Sequence, residues 1–251
     1  MRSTDSNITT NRNQNKRMNL FFIDPTDNIE FVLGNDESHH AIRVLRLRKG
    51  ESITLADGAG YIYNATISDP SPEGCKIKVT DKRRGDDYRD YSFHIAVSPL
   101  KSSDRFEWFV EKAVEIGVDE ITPLICHRSV KRAVRRDRLE KIVKAAMKQS
   151  LKSKTTIIND PLDFTAFVKS TMSDGIKVIA HCTKGSRADL SEIIEAGRDI
   201  VLLTGPEGDF TEEEVDFACR HNFQPVTLGH SRLRSETAAI VSCHTVYLAN
   251  I

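Results

Sequence analysis

The segment Leu202-Leu203-Thr204-Gly205-Pro206-Glu207-Gly208-Asp209-Phe210 constrains this chain more than any other. An apolar run, Ile200 to Leu203, breaks into a Gly-Pro-Glu-Gly turn, and Thr211-Glu212-Glu213-Glu214 then opens a helix with capping-box spacing. Further along, Pro225-Val226-Thr227-Leu228 breaks at Gly229 and runs through Ser231 and Arg232 into Leu233-Arg234-Ser235-Glu236-Thr237-Ala238. Glycine permits close backbone approach that other residues forbid. Two strand-ending glycine loops so near each other therefore predict one pocket walled mostly by main chain. Such a pocket suits a flat, polar small molecule, and ligands of open α/β sheets do lie outside the carboxyl ends of strands. Either loop alone reads as an ordinary strand-to-helix connection. Together, with Arg234 and Glu236 directly after the second turn, they read as a site.

The chain around these loops divides into two regions. From about Asn19 to Asp81, short apolar runs at Leu20 to Ile23, Glu30 to Leu33, Ser52 to Leu55, Tyr61 to Ile67 and Lys76 to Val79 are separated by turn signals. Glu37 to Leu47 has helical periodicity, which predicts a small β-barrel with one helix across it. The charged stretch from Asp81 to Asp90, containing Gly85, predicts a linker. Beyond Tyr91, strands at Phe93 to Val97, Ile121 to Ile125, Ile176 to Ala180, Ile200 to Leu203 and around Val226 alternate with helices. The helices are expected at Asp104 to Ile116, around Arg138 to Leu151, after Thr211 and from Glu236 to Leu248. That alternation is the sign of an α/β domain with a parallel sheet. The expected domains are 18–85 and 90–251. Residues 1–17 are almost wholly polar, with no apolar core of a signal peptide, and are expected to be a disordered tail, with Met18 a candidate natural start.

Formal charge is zero, with 36 basic and 36 acidic residues, yet the distribution is uneven. Between His127 and Lys154 eleven basic residues face only Asp137 and Glu140, an excess of nine positive charges. Most charge runs are solvated helix faces, but an excess this lopsided favours a polyanionic partner. Five scattered cysteines with no CxxC spacing argue against a zinc site and a disulfide framework, and for a reducing compartment. No apolar run approaches the ~20 residues of a membrane span. The expectation is a cytoplasmic protein with neither membrane nor metal.

Neither GxGxxG after a first strand nor GxxxxGK[ST] occurs, which disfavours dinucleotide enzymes and NTPases. No serine sits in a G-x-S-x-G elbow. His39, His40, His127, His181 and His244 lack metal-ligand spacing. His39-His40, close to Arg43, Arg46 and Arg48, reads equally well as a phosphate contact or a solvated helix end.

Gly205-Pro206-Glu207-Gly208, followed by Leu228-Gly229 and Leu233 to Ala238, resembles the C-terminal signature of the RsmE family, 16S ribosomal RNA (uracil-N3)-methyltransferases of the SPOUT superfamily. His40-Ala41-Ile42-Arg43-Val44-Leu45-Arg46 is similar to that family's N-terminal motif. Lys101 to Arg105, Glu111 to Val118, Arg128-Ser129 and Lys148-Gln149-Ser150 also correspond, so the likeness covers nearly the whole chain after the tail. Several motifs in one order are far more specific than any one of them.

The resemblance implies a PUA-like β-barrel joined to a SPOUT domain whose C-terminal segment threads a trefoil knot, an exception among folds. It implies dimers, and S-adenosylmethionine cradled by the knot loops. Carried over to matching positions, the cofactor wall is Leu203, Thr204, Gly205, Glu207, Gly208, Leu228, Gly229 and Leu233, with His181 nearby. The chain departs from the family where a second glycine is usual and it has Asp209, and at Ser231-Arg232, where Arg-Ile is common. The implied substrate is 16S rRNA of the small subunit.

Methyl transfer to uracil N3 requires loss or sharing of a proton and stabilisation of charge on the ring. Arg234 and Glu236, delivered beside the cofactor by the second loop, are the candidates for this work; pairing with each other to hold the turn is the alternative. RNA contacts are expected from Arg43, Arg46 and Arg48 in the first domain and from Arg128, Lys131, Lys141, Lys144 and Lys148 in the second. Rival readings are a SPOUT enzyme acting on a different RNA position, and a non-catalytic RNA-binding or ribosome-assembly protein.

Overall fold

The computed structural model describes residues 19–172, 174–182 and 187–251; the expected N-terminal tail lies outside them. In the first domain β1 (Leu20–Phe22), β2 (Glu30–Val32), β3 (Ser52–Ala56), β4 (Tyr61–Asp69) and β5 (Lys76–Arg84) form one sheet in the order β1-β3-β4-β5-β2. Only the β1–β3 pairing is parallel. Phe21, Leu33, Leu55, Tyr63, Ile67 and Ile77 fill its core. Strand β5 runs through Asp81 to Arg84, where the charge run predicted a linker. Tyr61 to Asn64 pair with Arg84 to Asp81, because outward-facing charges leave the backbone ladder intact. The helix begins as α1 (Asn35–His39) and passes into a π-helical turn, His40–Val44, with Arg46 beyond it at φ 56°. Leu45 N–H closes on His40 O at 3.0 Å, and the wider turn fans the following arginines outward.

The second domain runs β6 (Phe93–Val97), α2 (Ser103–Ile116), β7 (Glu120–Ile125), α3 (Arg136–Ser150), β8 (Ile157–Ile158), β9 (Leu162–Asp163), α4 (Phe164–Ser170), β10 (Ile176–Ala180), β11 (Ala188–Asp189), α5 (Leu190–Ile193), β12 (Ile200–Thr204), α6 (Glu212–Arg220), β13 (Gln224–Thr227) and α7 (Ser235–Leu248). Its sheet has the order β11-β13-β10-β12-β6-β7-β8, every pairing parallel, with β9 beside β7. Strand parity decides which helices each side chain meets. Ile200 and Leu202 face α2, α3 and α7, while Val201 and Leu203 face α4 and α6. Helix α6 carries the expected capping box: Thr211 Oγ1 accepts from Glu214 N–H at 3.2 Å, and Glu214 Oε2 accepts from Thr211 N–H at 2.9 Å.

The two domains are stitched together by the segment after α3. Gly60 N–H donates to Ser153 O at 3.1 Å, Thr155 N–H to Gly58 O at 2.9 Å, and Ser153 N–H to Asp87 Oδ2 at 2.9 Å. Lys148 Nζ reaches back to Glu37 of α1 at 2.7 and 2.9 Å. Glu37 is only 6% exposed, so this ion pair holds a carboxylate that burial alone would disfavour.

Candidate cofactor cavity and adjoining groove

Three neighbouring strands, β10, β12 and β13, end together, and their loops enclose a cavity of about 600 Å³. Thr204 to Asp209 supply one wall and Thr227 to Leu233 another, so the two glycine loops read from the sequence do share one pocket. Ala180, His181 and Cys182 close it from the end of β10, Arg187 from just before β11, and Ser235 and Ala238 from α7. A Cβ on Gly205 would lie 3.0 Å from the Phe210 ring, so any larger residue there would have to displace that buried ring. Gly229 sits at φ 94°, a conformation glycine adopts without strain.

The first loop is held from outside. Lys101 N–H donates to Glu207 Oε1 at 2.8 Å, which ties the turn to the β6–α2 connection. Arg128 Nη1 donates to Gly208 O at 2.8 Å and Phe210 O at 3.2 Å. His127 N–H donates to Glu214 Oε1 at 2.8 Å, which anchors the same segment to α6. Asp209 occupies the left-handed region at φ 62°, a conformation that Asp tolerates better than most residues. Its carboxylate accepts from Cys182 N–H at 2.8 Å and Phe210 N–H at 2.9 Å, joining the β10 loop to the β12 loop. The glycine of the resembled pattern is thus replaced by a residue that keeps the turn and adds a cross-loop bond.

Of the residues assigned to the cofactor wall in the sequence, Thr204, Gly205, Glu207, Gly208, Leu228, Gly229, Leu233 and His181 line the cavity. Leu203 does not. Parity turns it to the opposite face of the sheet, where it is fully buried with Phe210 and the α4–α6 side chains. Thr204 is 3% exposed, and its Oγ1 has no hydrogen-bond partner among the described residues. His181 is buried at the cavity edge; burial, reinforced by Arg187, holds its imidazole below its ordinary pKa.

Arg234 and Glu236 lie outside this cavity. They line an adjoining groove with Asp104, Arg105, Trp108 and Thr237, and Arg232 and Leu233 belong to both walls. The alternative of an Arg234–Glu236 ion pair is not what the structure shows; Glu236, 9% exposed, faces Arg105 Nη1 at 3.7 Å. Arg105, Trp108 and Arg187 were missed in the sequence. Asp104, Arg105 and Trp108 share one helix surface, but nothing in their spacing says that α7 lies opposite.

The expected RNA contacts divide by environment. Arg43, Arg46, Arg48, Lys141 and Lys144 are exposed. Lys148 instead turns into the domain junction, Arg128 grips the Gly-Pro-Glu-Gly loop, and Lys131 Nζ donates to Ser103 Oγ. Arg136 and Arg138 are likewise engaged, by Glu140 and Asp160 and by Glu107. Among the described residues no group of three or more His, Cys, Asp or Glu is placed to hold a metal, and no helix is long and apolar enough to cross a membrane.

Comparison with known proteins agrees with this geometry. A family profile for an RNA methyltransferase domain matches residues 89–247, and one for an RNA methyltransferase PUA domain matches residues 33–80. The crystal structure of a probable rRNA-methyltransferase from Porphyromonas gingivalis is 35% identical, with a TM-score of 0.85 over 92% of this chain and 98% of that one. Ribosomal RNA small subunit methyltransferase E from Neisseria gonorrhoeae, solved with S-adenosyl methionine bound, is 28% identical with a TM-score of 0.83 over 93% and 98%. The methyltransferase of the same name from Synechocystis sp. is 28% identical over 216 residues, covering 84% of this chain and 70% of that one. With a PUA-type sheet, a parallel sheet and two strand-end glycine loops in this order, the chain belongs to the RsmE family of RNA methyltransferases.

Proposed function

We propose that this protein transfers the methyl group of S-adenosylmethionine to N3 of a uridine in 16S rRNA of the small ribosomal subunit. The observation that carries the reading is the single cavity shared by the two glycine loops at the ends of β12 and β13. Its size falls within the usual range for small-molecule sites, about 300–1,000 Å³. It offers apolar surface from Ala180, Leu228, Leu233 and Ala238, main-chain groups from both loops, and the buried, unpartnered hydroxyl of Thr204. Those donors and walls fit a nucleoside with an amino-acid tail.

When bound, S-adenosylmethionine supplies a sulfonium methyl: the C–S bond breaks with its electron pair going to sulfur as the bond to N3 forms. The protein's own contribution is positioning and charge. Arg234, exposed at the start of α7, stabilises negative charge on the uracil oxygens, and Glu236 is the nearby carboxylate able to receive the N3 proton. Arg105 Nη1 lies 3.7 Å from Glu236 Oε1 and orients that carboxylate in the groove. RNA is held by Arg43, Arg46 and Arg48 around the π-helical turn and by Lys141 and Lys144 of α3.

The protein is proposed to act in the cytoplasm as a homodimer. Helix α7 supports dimerisation, since it is apolar on most sides yet leaves Tyr247 and Leu248 exposed, with Ile251 beyond. A knotted path is supported by β13 lying beyond β10 while the helix after it returns to pack on α2 and β12. The deciding experiment is methyl transfer from labelled S-adenosylmethionine to small-subunit RNA, naked and assembled, with the modified position mapped. Incorporation at uridine N3 is expected. Modification of another position, or calorimetry showing no cofactor binding, overturns the reading.

A further inference from the structure

We propose that the groove between α2 and the start of α7 is the seat of the target base, with Trp108 as the aromatic surface on which the extruded pyrimidine stacks. This rests on the methyltransferase reading above and adds the substrate subsite. Large aromatic side chains are mostly buried on average, whereas Trp108 is 45% exposed. A single exposed apolar residue means little by itself. Its surroundings give it meaning. The groove adjoins the cofactor cavity, and Arg232 and Leu233 line both. Arg105, Arg232 and Arg234 border it against only Asp104 and Glu236, an excess of cations suited to a phosphate backbone.

An enzyme that modifies a base atom used in pairing must take that base out of its stack and repay the lost stacking on an aromatic ring. N3 of uracil is such an atom, hidden in the pairing edge. Trp108 provides the ring, and among the described residues no aromatic ring or cation is placed over it. The Arg105–Glu236 pair sets a charged floor beside the ring, against which the polar edge of the pyrimidine can be read. Stacking contributes affinity without regard to base identity. Recognition of uracil then falls to Arg234 and Glu236.

Trp108 is the only tryptophan of the chain, so its emission reports on this groove alone. The full-length protein with S-adenosylhomocysteine is titrated with unmethylated small-subunit RNA; quenching of the Trp108 emission is expected. In parallel Trp108→Ala and Trp108→Phe are assayed for kcat/KM, for cofactor affinity by calorimetry and for mass in solution. Trp108→Ala is expected to lose about 10- to 100-fold in kcat/KM, the range for one base–aromatic stack, and Trp108→Phe about threefold or less. Cofactor affinity and mass stay unchanged. Unquenched emission with RNA that the wild type methylates, full activity of Trp108→Ala, or its loss of cofactor binding or change in mass, each overturns the subsite. A wild type that binds the cofactor yet methylates no small-subunit RNA overturns the function itself, and the subsite with it.

Discussion

Asp209 shows how one side chain changes a loop without changing its path. Alanine there would keep the left-handed backbone and lose both hydrogen bonds, and that conformation costs an ordinary L-residue about 1–2 kcal/mol. Asp209→Ala is therefore expected to weaken S-adenosylmethionine binding about 10-fold by calorimetry, and Asp209→Gly, which removes the strain, by less. Arg234→Ala addresses chemistry instead. Methyl transfer should fall by about two orders of magnitude with cofactor affinity nearly unchanged, while equal loss of both would assign Arg234 to structure. His94 supplies a pH dependence: its Nε2 lies 2.8 Å from Thr122 Oγ1, and burial outweighs the opposing pull of Glu120 to hold its pKa below the ordinary value. The unfolded chain takes up this proton first, at a pKa of about 6.5. The stability tied to neutral His94 is thus complete above that value and lost as pH falls through the lowered native one. Urea melts from pH about 7.5 down to about 5 should show the decline, and His94→Asn should flatten it.

At the level of elements, α3 separates binding from packing along a single helix. Leu139, Val143, Ala146 and Met147 face the core, while Lys141 projects into solvent and Lys144, also exposed, reaches within 4.0 Å of Glu37. Replacing both lysines with alanine is expected to weaken RNA binding and make the slope of log K against log salt shallower by about two counterions; unchanged affinity and slope would mean that neither lysine contacts RNA. The long strands and helices were readable because period and length agreed: Phe93 to Val97, Ile176 to Ala180 and Ile200 to Leu203 all stand where the apolar runs placed them. The elements β8, β9, β11, α4 and α5 were not read. The strands among them have only two residues each, and α5 has four, too short for any period to emerge. The two cavity loops were legible because glycine and proline mark turns directly. The turn of Leu203 away from the cavity was not, since strand parity becomes assignable only once the neighbouring strands are known.

At the scale of the whole molecule, α3 and the segment after it join the two domains. Lys148→Ala should lower stability by about 1–2 kcal/mol in urea melts. This is less than a fully buried pair would cost, since Lys148 is partly exposed and Lys144 lies 4.0 Å from the same carboxylate. Lys141→Ala should change it by less than about 0.5 kcal/mol. If Lys148→Ala proves neutral, Glu37 is satisfied in some other way and the junction is looser than its hydrogen bonds suggest. The backbone bonds of Gly58 and Gly60 to Thr155 and Ser153 act like rivets between two plates. A span bonded in this way resists bending toward an awkwardly presented nucleotide. The distortion that brings an acceptor to its donor then falls on the RNA, and selectivity becomes a matter of how cheaply a transcript deforms at one place.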